Sequence, residues 1–305
     1  MGIRAHTVSK FYLQGFTALK SDEHPHPFVW LGSLKTGEII KRSPKNVSIV
    51  RDVYDGVGGF ADPNLSIEKH LSKIENDASI AIRKYTSKGS NEHAVVPSEI
   101  WRFLAWQAAR TPGWMELVQK WANEPHFGEG EAIEPPPPGL DKSIPRVRVQ
   151  WLEEPETGKR VGFADPDELD LHRKKGWKIL FERDDHLEMM HIQAWYFQVR
   201  HFPRLSWTRL EAPGDEFFIT SDHGVAWLVD GYADTPPAAL RHPTAQVVAP
   251  LTKKFSLVGR HQTDRLNVTP RQVNRFIAFA ASNWIAGPTI EVVRQALIDC
   301  QHRQA

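Results

Sequence analysis

Apolar residues recur along this chain at two kinds of spacing, and each predicts a different element. Between Phe28 and Tyr54 they form short runs: Phe28-Val29-Trp30-Leu31, then Glu38-Ile39-Ile40 after a Thr36-Gly37 turn, then Val47–Val50. Short runs bounded by turn residues predict strands. From Ser66 to Lys84 the period lengthens, and Ile67, Leu71, Ile74, Ala78 and Ala81 make one stripe at steps of three and four. That is the pattern of an amphipathic helix. A second helix is expected from Ser98, read as its N-cap after Pro97, to about Arg110. A third begins at Thr111-Pro112, Thr as cap and Pro at the first helical position, and ends near Ala122.

Further on, Val147–Leu152 and Lys159–Phe163 read as a hairpin joined through Thr157-Gly158. Asp165–Gly176 is expected to be a short polar helix and Asp185–Gln198 a longer one. Glu216–Thr220 and Val225–Val229 read as a strand pair around a tight Ser221-Asp222-His223-Gly224 turn. Thr269-Pro270-Arg271-Gln272 is a capping-box start. The stripe Val273, Phe276, Ile277, Ala280, Ala281, Trp284, Ile285 predicts a helix running to Gly287-Pro288, and Thr289 starts a last helix toward Cys300. The expected fold is α+β, a mainly helical single domain over residues 1–305 with small antiparallel sheet elements. Residues 128–176, with Pro135-Pro136-Pro137-Pro138 and the hairpin, read as an insertion.

Composition changes this picture little. The chain has 305 residues, 41% hydrophobic and 25% charged, enough for a sizeable core. Its 38 basic and 37 acidic side chains nearly cancel, so no global field draws it to nucleic acid or an anionic membrane, although a local patch is invisible in the sum. Cys300 is the one cysteine, so no intrachain disulfide can form, which suits a cytoplasmic protein. No apolar run reaches the roughly twenty residues a membrane helix needs. Gly2 has the start of a myristoylation site, but His6 stands where Ser or Thr is required.

Candidate chemistry lies where polar groups break the pattern. His6-Thr7-Val8-Ser9-Lys10-Phe11-Tyr12-Leu13-Gln14 mixes aromatic and hydrogen-bonding groups. His6 suits a general base, metal ligand or phosphate contact, with Tyr12 and Gln14 orienting a ligand. The plainer reading is an N-terminal segment packed in the core. Glu68 and Glu75 lie two helical turns apart on one face, and Glu75 adjoins the apolar stripe. Paired carboxylates can hold a divalent metal or divide acid and base roles, or they simply pair with Lys69, Lys73 and Lys84. Gln107 occupies an apolar position beside Ile100, Phe103 and Leu104, and Arg110 follows three residues on. A buried amide must find partners, and an arginine there grips either a ligand's carboxylate or phosphate or a core carboxylate. Ser221 and Asp222 sit at a strand end, where sheets commonly mount reactive groups, or else only close a turn with Gly224 at positive φ. Walker, GxGxxG, HExxH, paired CxxC and G-x-S-x-G motifs are absent from the sequence.

His6–Phe16, the strand and Tyr54 segment, the Ile67–Ala81 helix with Glu68 and Glu75, and Gln107-x-x-Arg110-Thr111-Pro112 occur here in that order. With Thr220-Ser221-Asp222, Pro250-Leu251 and the closing helix, they resemble the bacterial proteins grouped as domain-of-unknown-function family 4238. The resemblance covers most of the chain. It departs at His223-Gly224, where the family pattern has Asn-Pro, and across Gly128–Gly176. It implies grouping and no mechanism. The residues themselves favour a metal-dependent enzyme acting on phosphodiesters or nucleotides, of a defence or toxin type. The expected catalytic groups are His6, Glu75 and Asp222, and Tyr12, Gln14, Gln107, Arg110 and Ser221 are expected to bind ligand. An NAD-consuming or ADP-ribosyl-transferring enzyme is the alternative, and a non-catalytic binding or scaffold protein the third.

Overall fold

The computed structural model describes residues 4–18, 26–51, 67–87, 95–110, 150–163, 171–180, 190, 194, 197–229, 240, 242–261 and 268–301. The third helix from Thr111, Tyr54, the proline-rich stretch and most of Asp185–Gln198 fall outside them. Of Asp165–Gly176, residues 171–174 are helical.

The fold is mixed α+β rather than mainly helical, because the sheets carry much of the framework. Among the described residues every strand pairing is antiparallel. β1 (Arg4–His6) pairs with β4 (Ile49–Arg51). β2 (Val29–Ser33) and β3 (Ile39–Arg42) form the expected hairpin. β5 (Gln150–Glu153), β6 (Arg160–Phe163) and β7 (Lys178–Leu180) make a small sheet, also with the expected hairpin. Leu152 on it is fully buried yet lies apart from the main core. β8 (Ser206–Glu211), β10 (Ala226–Leu228), β11 (Gln246–Pro250) and β12 (Phe255–Arg260) form a sheet in the order β10-β11-β12-β8.

Two expectations about strands fail for one reason. Thr220–Ser221 (β9) and β10 do not pair with each other across their turn. β9 joins β13 (Trp284–Gly287) in the sheet β3-β2-β13-β9, and β10 joins β11. The closing helix likewise ends at Ala280, and Trp284 and Ile285 lie on β13. Their apolar residues suit a helix and a strand equally well by local pattern, so the backbone follows whichever partner is available. Here β2 and β9 supply ladder bonds on both edges of β13.

The helices that frame the site are α1 (Lys10–Gln14), α2 (Ile67–Tyr85), α3 (Ser98–Ala109), α4 (Pro270–Ala280) and α5 (Ile290–Gln301), with a π-helical turn at Phe197–His201. α4 starts as expected. The Thr269 hydroxyl accepts from Gln272 N, and the Gln272 side chain accepts from Thr269 N at 2.9 Å. α3 begins one residue earlier than expected, so Pro97 is its cap and Ser98 its first residue. Every residue from Phe103 to Arg110 is buried, which makes the second half of α3 a central rod of the core. Leu71, Ile74, Ala78, Ile82 and Tyr85 press α2 against that core as one stripe.

Candidate functional site

The end of α3 brings a charge into the core. Arg110 is 3% exposed, and its Nη1 donates to Glu75 Oε1 of α2 at 2.8 Å. Its Nη2 donates to Gln107 Oε1, also at 2.8 Å. One helical turn separates the two residues, so a single face of α3 carries both. Gln107 Nε2 in turn donates to the Thr7 carbonyl at 3.2 Å, tying the segment after β1 to α3. The amide at an apolar position thus has both its ends bonded, as a buried polar group requires. The counter-ion of Arg110 is Glu75, and the Glu75 side chain remains 26% exposed. Two sealed atoms nearby in sequence lack a partner: Arg110 Nε, and Ser9 Oγ two residues beyond Thr7.

Tyr12 of α1 connects this network to the Ser221–Gly224 turn. Its ring is fully buried against Phe16 and Phe103. The hydroxyl lies 2.6 Å from the Pro250 carbonyl and 3.1 Å from that of Gly224, and it accepts from Thr220 Oγ1 at 3.2 Å. Burial pushes the phenol well above its ordinary pKa, partly offset by the Thr220 bond. Gly224 has φ +70°, and a Cβ there would stand 3.1 Å from Gln107 Cγ and 3.4 Å from Tyr12 Cε1. Glycine therefore supplies both the left-handed conformation and the close approach of the turn to α3.

Asp222 works in the opposite direction. Its Oδ1 accepts from Ser282 N at 3.1 Å, and its Oδ2 from Asn283 N at 2.7 Å and Asn283 Nδ2 at 3.0 Å. Asp222 N donates to the Trp284 carbonyl. The carboxylate thereby captures the amides just past α4 and helps to end that helix. It neither closes its own turn nor pairs with Arg110. Ser221 closes the turn instead, its Oγ accepting from His223 N and Gly224 N at 3.2 and 3.3 Å. Both Ser221 and Asp222 are buried, and His223 Nε2 lies 3.0 Å from Ser282 Oγ.

The expected site residues therefore separate. Glu75, Gln107 and Arg110 form one bonded network, with Tyr12 adjoining it through Gly224. Asp222 belongs to a second cluster with Ser282 and Asn283. Gln14 is exposed on α1 and takes no part in either. His6 lies on β1 opposite Ile49, and its side chain, like that of Glu68, is outside what is described. Among the described residues, no three His, Cys, Asp or Glu side chains cluster so as to hold a metal ion. The Thr7 carbonyl and the 282–283 amides were not legible as partners in the sequence, because backbone groups carry no residue-type signal. Among the described residues no helix is long and apolar enough to cross a membrane.

A family model described as a protein of unknown function, DUF4238, matches residues 4–289. No curated protein and no solved structure matches the chain.

Proposed function

The chain belongs to the DUF4238 family, and we propose that it is an enzyme acting on a nucleotide or phosphodiester whose phosphate docks beside the Glu75–Arg110 pair. One observation carries this reading: Arg110 is sealed in the core with an N–H to spare, while the carboxylate holding it opens to solvent. Glu75 bonds Arg110 through Oε1 alone, which leaves Oε2 to take a proton from water or a substrate hydroxyl. Arg110 would meet the phosphate with a charge-assisted bond, and Gln107 keeps the guanidinium plane in place. His6 remains a candidate base or ligand to a divalent metal.

Purified protein should be assayed on single-stranded DNA and RNA and on NAD, each with magnesium and with EDTA. Glu75→Gln, which can still bond Arg110, should lose about 100-fold or more in kcat with its melting temperature little changed. Arg110→Lys should mainly raise KM. Cleavage of NAD alone would favour the ADP-ribosyl chemistry, with Arg110 on the dinucleotide phosphates and Glu75 stabilising the oxocarbenium ion. Glu75→Gln turning over substrate at the wild-type rate ends the catalytic reading.

A second reading has its own observation. Asp222, Ser221 and Tyr12 direct their hydrogen bonds inward and are buried, which suits a binding or scaffold protein with a polar core. Absence of turnover on all these substrates, with retained folding, would favour it.

A further inference from the structure

Three arginines are buried among the described residues: Arg110, Arg209 and Arg260. Arg110 has Glu75 and Gln107. Arg209 donates to the Tyr85 carbonyl at 2.8 Å and lies over the rings of Tyr85 and Phe255. Arg260, at the end of β12, is 9% exposed; its side chain makes no hydrogen bond or ion pair among the described residues, and its Nε is sealed from solvent. A guanidinium cannot shed its proton to escape this cost. A largely buried cation with no protein counter-ion among the described residues is costly, so an anion from outside is its natural complement.

The sheet register shows what surrounds it. Arg260 stands opposite Gln246 of β11 and opposite Ser206 of β8. Directly opposed residues of antiparallel strands share a face, so Ser206, Arg260 and Gln246 form one row across three strands. At about 4.8 Å per strand the row spans roughly 10 Å. It offers a hydroxyl, a guanidinium and an amide, with no carboxylate among them. Ser206 is exposed and Gln246 half-buried, so the row is open to solvent. Burial also draws the Arg260 pKa down.

We propose that this row is a binding site for a phosphate group, separate from the Glu75–Arg110 site. Donors spread over three strands suit the several oxygens of a phosphate ester better than the two of a carboxylate.

The test is a titration of inorganic phosphate into the full chain at constant ionic strength. Binding is followed by calorimetry and melting temperature, with acetate as control. Saturable binding with a rise in melting temperature is expected, with acetate at least tenfold weaker. Arg260→Met should lose the binding at least tenfold and melt higher than wild type without phosphate, since the unpaired cation is gone. Gln246→Glu should do the same by supplying an internal counter-ion, and it carries the test should Arg260→Met not fold. Arg110→Lys should keep this binding event, so failure of the Glu75–Arg110 reading leaves it untouched. The proposal is overturned by no saturable phosphate binding, by equal binding of acetate, or by undiminished binding in Arg260→Met or Gln246→Glu.

Discussion

The Glu75–Gln107–Arg110 network and the Asp222 cluster are linked through the Ser221–Gly224 turn, and both contain buried charge, yet they manage it differently. Asp222 accepts three bonds from two consecutive residues, Ser282 and Asn283, and is thereby committed to the chain path after α4. Arg110 bonds two side chains and retains an unpaired N–H, and its counter-ion Glu75 is partly exposed and bonds it through Oε1 alone. A charge held by backbone amides fixes a loop. A charge held by another side chain at the edge of the core can exchange that partner for a ligand. The difference ties Asp222 to the chain path and leaves Glu75 and Arg110 as the candidates for ligand chemistry under the proposed function.

The largest effect should come from Glu75→Ala. It strands the Arg110 guanidinium in the core and should cost about 3 kcal/mol, the low end for a broken buried pair because Glu75 is partly exposed. Adding Arg110→Met should recover most of that loss in a denaturant melt. If the double variant is no more stable than the single, Glu75 and Arg110 are not a coupled pair.

Asp222→Asn comes next. An amide presents an NH2 to N–H donors where one carboxylate oxygen accepted, so about 2 kcal/mol should be lost. Activity per folded molecule should stay at the wild-type level. A hundredfold fall in kcat with an unchanged melt would reverse the assignment and return Asp222 to the catalytic group.

Tyr12→Phe removes the hydroxyl shared by Pro250, Gly224 and Thr220 and should cost about 1.5 kcal/mol. It carries a pH signature as well. The folded phenol has its pKa raised by burial, so its share of stability is complete below the unfolded pKa of about 10 and is lost as pH rises beyond it. Wild type should lose stability above pH ~10 more steeply than Tyr12→Phe, as measured by urea midpoints; parallel curves would mean the phenol reaches water.

Gly224→Ala should have the smallest effect on stability, about 1 kcal/mol for a side chain in the left-handed region. Its new Cβ also pushes on Gln107, so it is the sharpest probe of coupling between the clusters. A change in KM with kcat intact would show that the turn positions Arg110 through Gln107.

Local chemistry decided much of the chain. The capping box at Thr269–Gln272, the stripe of α2, the β2–β3 and β5–β6 hairpins and the buried amide at Gln107 all follow from residue type and spacing, because each depends on neighbours within a turn or two. Gly224 at positive φ belongs with them. What only the tertiary structure decided is which distant partner a segment takes. Trp284 and Ile285 fit the α4 stripe by period, but β2 and β9 drew them into a strand. Glu75 became the counter-ion of Arg110 and Asp222 did not, although the two carboxylates look alike as residues in a chain. Arg260 is one arginine among many in sequence and becomes a largely buried cation, with no counter-ion among the described residues, only when β8 and β11 close around β12. Hydrogen bonds and ion pairs are short-ranged in space and indifferent to separation along the chain. The pattern of apolar positions can therefore say where a polar group is out of place, and only the folded backbone says what meets it.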